Sequence, residues 1–168
     1  ATKKFIRRKH ARRFGADEPR AALVEGAAAT FRQSDGDIRQ VIRSILEAPA
    51  FFAPEYFQAK IKKPLEYVAS SLRLMEAETR ITPQLLRYLA RMGEPLFLAQ
   101  PPTGFPDAGS SWISPDMLLT RMNFAADLVA NRINGARPAA RGDAQKLARI
   151  IAPDALSSST RPAVAETP

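Results

Sequence analysis

Ile38, Val41, Ile42, Ile45 and Leu46 stand at i, i+3, i+4, i+7 and i+8, with Arg39, Gln40, Arg43 and Glu47 between them. Only an α-helix gathers those five apolar side chains on one face. The same period recurs in seven places along the chain, and no run alternates with the two-residue period of a strand. The expectation is therefore an all-α, irregular multi-helix domain with one core.

Prolines and capping residues mark where the helices begin and end. Lys3–Phe14 carries Ile6, His10 and Phe14 on one stripe, and Gly15 can end it. Asp17 or Glu18 can cap the next helix, with Pro19 in its first turn and Leu23, Val24, Ala27 and Phe31 inward. Asp35 or Asp37 can cap the helix through Ala48. Pro49–Lys60, with Phe51, Phe52, Tyr56 and Phe57, reads as short turns pinned by aromatic packing. Pro64–Met75 buries Leu65, Val68, Leu72 and Met75. Thr82 caps a helix that opens with Pro83 and runs to about Met92, where Gly93 and Pro95 end it. Ser114 caps Pro115–Asn134, with Leu118, Met122, Ala125 and Val129 as the expected inward stripe.

Between those last two helices, Glu94–Ser114 is a Pro/Gly-rich loop of about twenty residues, long for a compact domain and therefore a candidate site. The domain reading is a helical core over 1–134, a linker over 135–142, a short helix at 143–152 and a mobile tail over 153–168.

Composition excludes several chemistries. There is no cysteine, hence no disulfide, thiol nucleophile or Cys-ligated zinc, and His10 is the only histidine. His10 sits between Ile6 and Phe14 on the apolar stripe, where a packed histidine is favoured over a general base. No cofactor is expected. No apolar run approaches the roughly 18–20 residues that span a membrane. The net charge is +8, yet seven of the 25 basic residues lie in 3–13, and the other 18 face 17 acids. The excess belongs to one terminal helix. That helix has neither aromatic interleaving nor a groove-reading motif, so a solvated or packed face is favoured over a nucleic-acid site.

Other constellations are weaker still. Asp35-Gly36-Asp37 suggests a calcium loop, but loop positions 6 and 12 would be Gln40 and Leu46 instead of Gly and Glu, so a helix cap is preferred. Lys62 and Glu66 flank Pro64 at a helix start, as an ion pair or an anion contact. In the long loop, Phe105 and Trp112 offer apolar surface and Asp107 a carboxylate. Arg121 and Asn123 on the following helix could bond loop carbonyls. Trp112 is read as a core anchor ahead of a pocket wall.

Five blocks carry a family resemblance: HARRFGADEP (His10–Pro19), ATFRQSDGDIRQVIRSIL (Ala29–Leu46), AKIKKPLEYVASSLR (Ala59–Arg73), GEPLF (Gly93–Phe97) and GFPDAGSSWISPDMLLTRMNFA (Gly104–Ala125). In this order they resemble the C-terminal part of the bacterial domain of unknown function 1800 family, which has no established activity. Two positions depart from the family pattern. Phe105 stands at the family's usual tryptophan, and His10 at a position that is usually apolar. The resemblance implies a fragment of a larger helical protein without its N-terminal half. It also implies export to the periplasm and a sulfatase-like partner, the domain of unknown function 1501 family.

Three functions follow as expectations. The first is a protein-interaction or scaffold module of an exported bacterial protein, with no catalytic residue of its own. The second is a lid or support for an enzyme whose active residues lie in the N-terminal half. The third is a nucleic-acid binder using residues 3–13.

Overall fold

A computed structural model describes residues 9–57 and 59–139. Most of the basic run over 3–13, the helix expected at 143–152 and the tail lie outside the described residues. The fold is all-α, with a minimal two-stranded sheet, and the chain divides into two compact units. The first comprises residues 1–61 and 106–111, the second residues 62–105 and 112–168. Two clusters of buried side chains replace the single expected core. Periodicity identifies which face of a helix is apolar, but not which other face it meets.

In the first unit, residues 9–14 are helical (α1), followed by α2 (Ala21–Gln33) and α3 (Ile38–Leu46). Ala11, Leu23, Ala27, Val41 and Ile45 form the core, with Phe31, Phe51 and Tyr56 packed against it. The α3 start follows the sequence: the Asp37 carboxylate accepts the N–H groups of Arg39 (2.8 Å) and Gln40 (3.2 Å). The α2 start does not. It lies at Ala21 with Arg20 as N-cap and no side-chain cap, because Asp17 is engaged elsewhere. The aromatic segment forms two 3-10 turns, Pro49–Phe52 and Pro54–Tyr56. Phe52 and Phe57 are largely exposed there, around a shallow depression of about 280 Å³ that Phe14 and Phe51 share.

The second unit holds α4 (Pro64–Leu74), α5 (Pro83–Arg91) and α6 (Pro115–Val129), each with proline in its first turn. Thr82 caps α5 through Leu85 N (3.3 Å), and Ser114 caps α6 through Met117 N (3.3 Å). Phe124, fully buried, centres the core, with the rings of Tyr67 and Tyr88 edge-on at 5.8 and 5.2 Å. β1 (Glu78–Thr79) pairs antiparallel with β2 (Ala136–Arg137). The expected linker thus begins inside the fold: Ala136 and neighbouring Ile133 are core residues.

Four helices end by one device. Asp35, Glu76, Gly93 and Asn131 each adopt a left-handed φ just past α2, α4, α5 and α6. The N–H of the next residue then reaches back five positions: Gly36 to Phe31, Ala77 to Leu72, Glu94 to Leu89, Arg132 to Asp127, all at 2.8–2.9 Å. This turn satisfies carbonyls that the helix end would otherwise leave open. Only one of the four left-handed residues is glycine, which is why the sequence carried α6 on to Asn134.

The inward face of α6 also differs from expectation. Thr120, Phe124 and Leu128 are buried, whereas Leu118, Met122 and Val129 are exposed. Among the described residues no helix is long and apolar enough to cross a membrane.

Candidate functional site

In the first unit, polar contacts gather on Asp17. Its Oδ2 accepts the Gly109 N–H, and its Oδ1 faces the Lys60 ammonium at 3.6 Å, an ion pair without a hydrogen bond. Lys60 also donates to the Arg12 carbonyl (2.7 Å), and Arg12 Nε donates to the Asp17 carbonyl (2.8 Å). A Cβ on Gly109 would stand 2.9 Å from Asp17 Oδ2 and 3.0 Å from Ile61 Cβ. Glycine is therefore what lets that N–H reach the carboxylate. Asp107 pairs with Lys9 at 3.3 Å, with both side chains well exposed. Such a pair stabilises by less than about 1 kcal/mol.

In the second unit, three of the sequence blocks meet at the start of α4. The first-turn Leu65 N–H donates to the Glu94 carboxylate at 2.8 Å. Glu94 is buried, and its own N–H closes the end of α5. A carboxylate is well placed at a helix N-terminus, where unpaired N–H groups and the dipole both favour it. Glu66 adds a second acceptor, taking the Lys63 N–H at 3.2 Å. Lys62 does not pair with Glu66: its ammonium donates to Ser70 Oγ at 2.9 Å.

Arg121 reaches this region from α6. Its Nη2 donates to the Lys62 carbonyl (2.9 Å), and its guanidinium lies over the Tyr67 ring, 5.0 Å from the centroid. The Tyr67 hydroxyl donates to the Arg121 carbonyl at 3.0 Å. Burial draws the Arg121 guanidinium below its ordinary pKa, opposed by Tyr67 and Glu94. Burial likewise raises the Tyr67 phenol, opposed by the Arg121 charge and Ser71. Trp112 is only 2% exposed, tilted against Phe105 at 6.2 Å, and its indole Nε1 has no hydrogen-bond partner among the described residues. A Cβ on Gly93 would meet Met117 Cε at 2.6 Å and Trp112 Cζ3 at 3.7 Å, so the loop closes onto that glycine.

The family model described as protein of unknown function (DUF1800) matches residues 1–168. The chain belongs to the DUF1800 family. No curated protein and no solved structure matches it.

In this DUF1800 chain, the two sequence-derived groups of candidates partly merge. Arg121 of the loop group meets the backbone of Lys62 from the anion-contact group. Phe105 and Trp112 pack on each other, Asn123 is exposed on α6, and Asp107 belongs to the first unit. Glu94, Tyr67 and Asp17 went unnoticed as site residues. A lone acid beside a helix-ending glycine, as at Gly93-Glu94, was the available signal for the first. Chemically the arrangement is a clamp of charge-assisted hydrogen bonds on helix ends and carbonyls. Among the described residues no group of three or more His, Asp or Glu side chains could hold a metal ion.

Proposed function

We propose that this chain is a protein-interaction module of an exported bacterial protein, docking through the outward face of α6. The observation that carries the reading is that α6 presents large apolar side chains on its outward side as well as on its buried side. Opposite its buried Thr120, Phe124 and Leu128 lie Leu118, Leu119, Met122 and Val129, 44–69% exposed, with exposed Ala126 among them. Asp116 and Asn123 edge that face, but its middle is uncharged, and a contiguous exposed apolar patch of this kind marks an interaction site. Covering one half-exposed Leu or Met is worth about 1 kcal/mol, so the face can contribute usefully to binding. Phe97 adds a fully exposed aromatic with a left-handed φ of 62°, a strained conformation of the kind that clusters at binding segments.

The family resemblance supplies the candidate partner, the sulfatase-like domain of unknown function 1501 protein. Co-expression with that protein tests the reading. The wild-type chain is expected to co-elute with it. Leu119→Glu/Met122→Glu is expected to elute alone, with an unchanged circular dichroism spectrum and thermal midpoint. Co-elution that survives the double substitution, or failure of the wild type to co-elute, would overturn the proposal.

A further inference from the structure

We infer that the second unit carries an oxyanion site for a ligand bearing phosphoryl groups, formed by arginines before and along α5 and in β2. The inference does not depend on the α6 docking face.

Between residues 64 and 139 the chain has seven cationic side chains, and all are arginine. Arg121 is directed inward, and Arg132 is held by Asp127 at 2.7 Å. Arg80, Arg87, Arg91 and Arg137 are exposed. None of these four donates a side-chain hydrogen bond or joins an ion pair among the described residues. They line two depressions. The larger, about 330 Å³, has Arg80, Arg137, Asn131, Asn134 and Glu78 in its wall. The smaller, about 190 Å³, is lined by Gln84, Arg87, Tyr88 and Arg91. Gln84 joins them, donating to the Arg132 carbonyl (3.2 Å) and accepting the Asn134 N–H (2.9 Å).

The frame beneath the arginines is fixed. The Arg80 N–H donates to the Gly135 carbonyl (2.7 Å), and the Thr82 hydroxyl to the Asn134 carbonyl (2.6 Å). A Cβ on Gly135 would stand 2.4 Å from both the Arg80 carbonyl oxygen and Thr82 Cγ2. Only glycine allows the turn to approach this closely, and the approach is what brings Arg80 and Arg137 to one depression. The two arginines thus leave the backbone at fixed points around one depression, with guanidinium groups that no acceptor among the described residues occupies.

Charge and geometry together select the ligand. Glu78 is the only acid in either lining. The nearby Asp127 is already engaged by Tyr88 and Arg132. Each guanidinium presents a planar fork of donors that matches a carboxylate or phosphate oxygen pair. One fork suffices for a carboxylate, whereas two forks per depression suit the three oxygens of a phosphoryl group.

The test titrates the whole chain with inorganic pyrophosphate by calorimetry at low salt. Saturable binding is expected. Arg80→Ala/Arg137→Ala and Arg87→Ala/Arg91→Ala should each weaken it at least tenfold, and Arg80→Lys/Arg137→Lys severalfold although charge is kept. Arg39→Ala/Arg43→Ala, an equal charge loss on α3, should leave it unchanged. Phosphatidylcholine vesicles carrying phosphatidic acid form a second arm. Vesicle binding that pyrophosphate competes away assigns the phosphoryl group to a lipid headgroup, and binding of pyrophosphate alone assigns it to a soluble ligand; both uphold the site. No saturable binding, equal weakening by the α3 variant, or capture of an acidic peptide by these arginines while pyrophosphate stays silent would overturn it.

Discussion

The Glu94 carboxylate accepts the Leu65 N–H at 2.8 Å, while the Glu94 N–H closes the end of α5 on the Leu89 carbonyl at 2.9 Å. One residue therefore satisfies the start of one helix and the end of another. Glu94→Ala keeps the backbone bond and removes the side-chain one. It should destabilise the chain by about 2 kcal/mol, the range for a hydrogen bond to a charged group. Glu94→Gln, which keeps an acceptor, should cost less. Urea unfolding of both variants checks the order; equal losses would mean the carboxylate acts only by packing.

Trp112 is buried against Phe105 and beneath Gly93. Trp112→Ala should cost about 3–5 kcal/mol, as for other large core truncations. A variant that kept wild-type stability but lost partner or ligand binding would instead make the loop a binding wall.

Glu76 holds a φ of 47° at the end of α4, where a Cβ is disfavoured and no glycine relieves it. Glu76→Gly should therefore raise stability by up to about 1 kcal/mol once the greater freedom of unfolded glycine is subtracted. Asn131→Gly, starting from a residue that tolerates this conformation better, should gain less. A lower thermal midpoint for Glu76→Gly would contradict the strain argument.

Asp127 and Tyr88 give the fold a pH dependence with a definite sign. Hydrogen bonds from Tyr88 and then Arg132 hold the Asp127 carboxyl below its ordinary 3.8. Its contribution is present above that value and is lost as pH falls through the lowered one. Burial, and then Asp127, push the Tyr88 phenol above 10.0. That contribution is complete below 10.0 and is lost as pH rises through the raised value. The gap in thermal midpoint between wild type and Asp127→Asn should be widest near neutrality and narrow as pH falls below 3.8. Curves that stay parallel well below that value would exclude the Asp127 contribution.

Helix starts were the most legible part of the sequence, because Asp37, Thr82-Pro83 and Ser114-Pro115 act locally through one side-chain oxygen and one fixed φ. Helix ends were less legible. Asp35, Glu76 and Asn131 take the left-handed position that a reader assigns to glycine. The orientation of α6 could not be read, since the helix offers two apolar stripes of equal period and only tertiary packing selects Phe124 over Met122. The candidate site was half visible: Arg121, Trp112, Lys62 and Glu66 stood out by type. Their grouping around Glu94 and Tyr67 depends on contacts 29 to 59 residues apart, such as Leu65 to Glu94 and Lys62 to Arg121. The Asp17 contact with Gly109 spans 92 residues, and no local pattern encodes it.

The all-arginine composition of residues 64–139 has a chemical corollary. Guanidinium groups stay protonated throughout the pH range in which proteins remain folded, and no lysine in this segment is open to acetylation or ubiquitination. The positive face around α5 is thus a permanent charge: acidity cannot modulate it, and the enzymes that modify amines find no substrate there. Amine-reactive labels and cross-linkers will likewise pass over this stretch of chain, so mapping its contacts calls for guanidinium- or carboxylate-directed reagents.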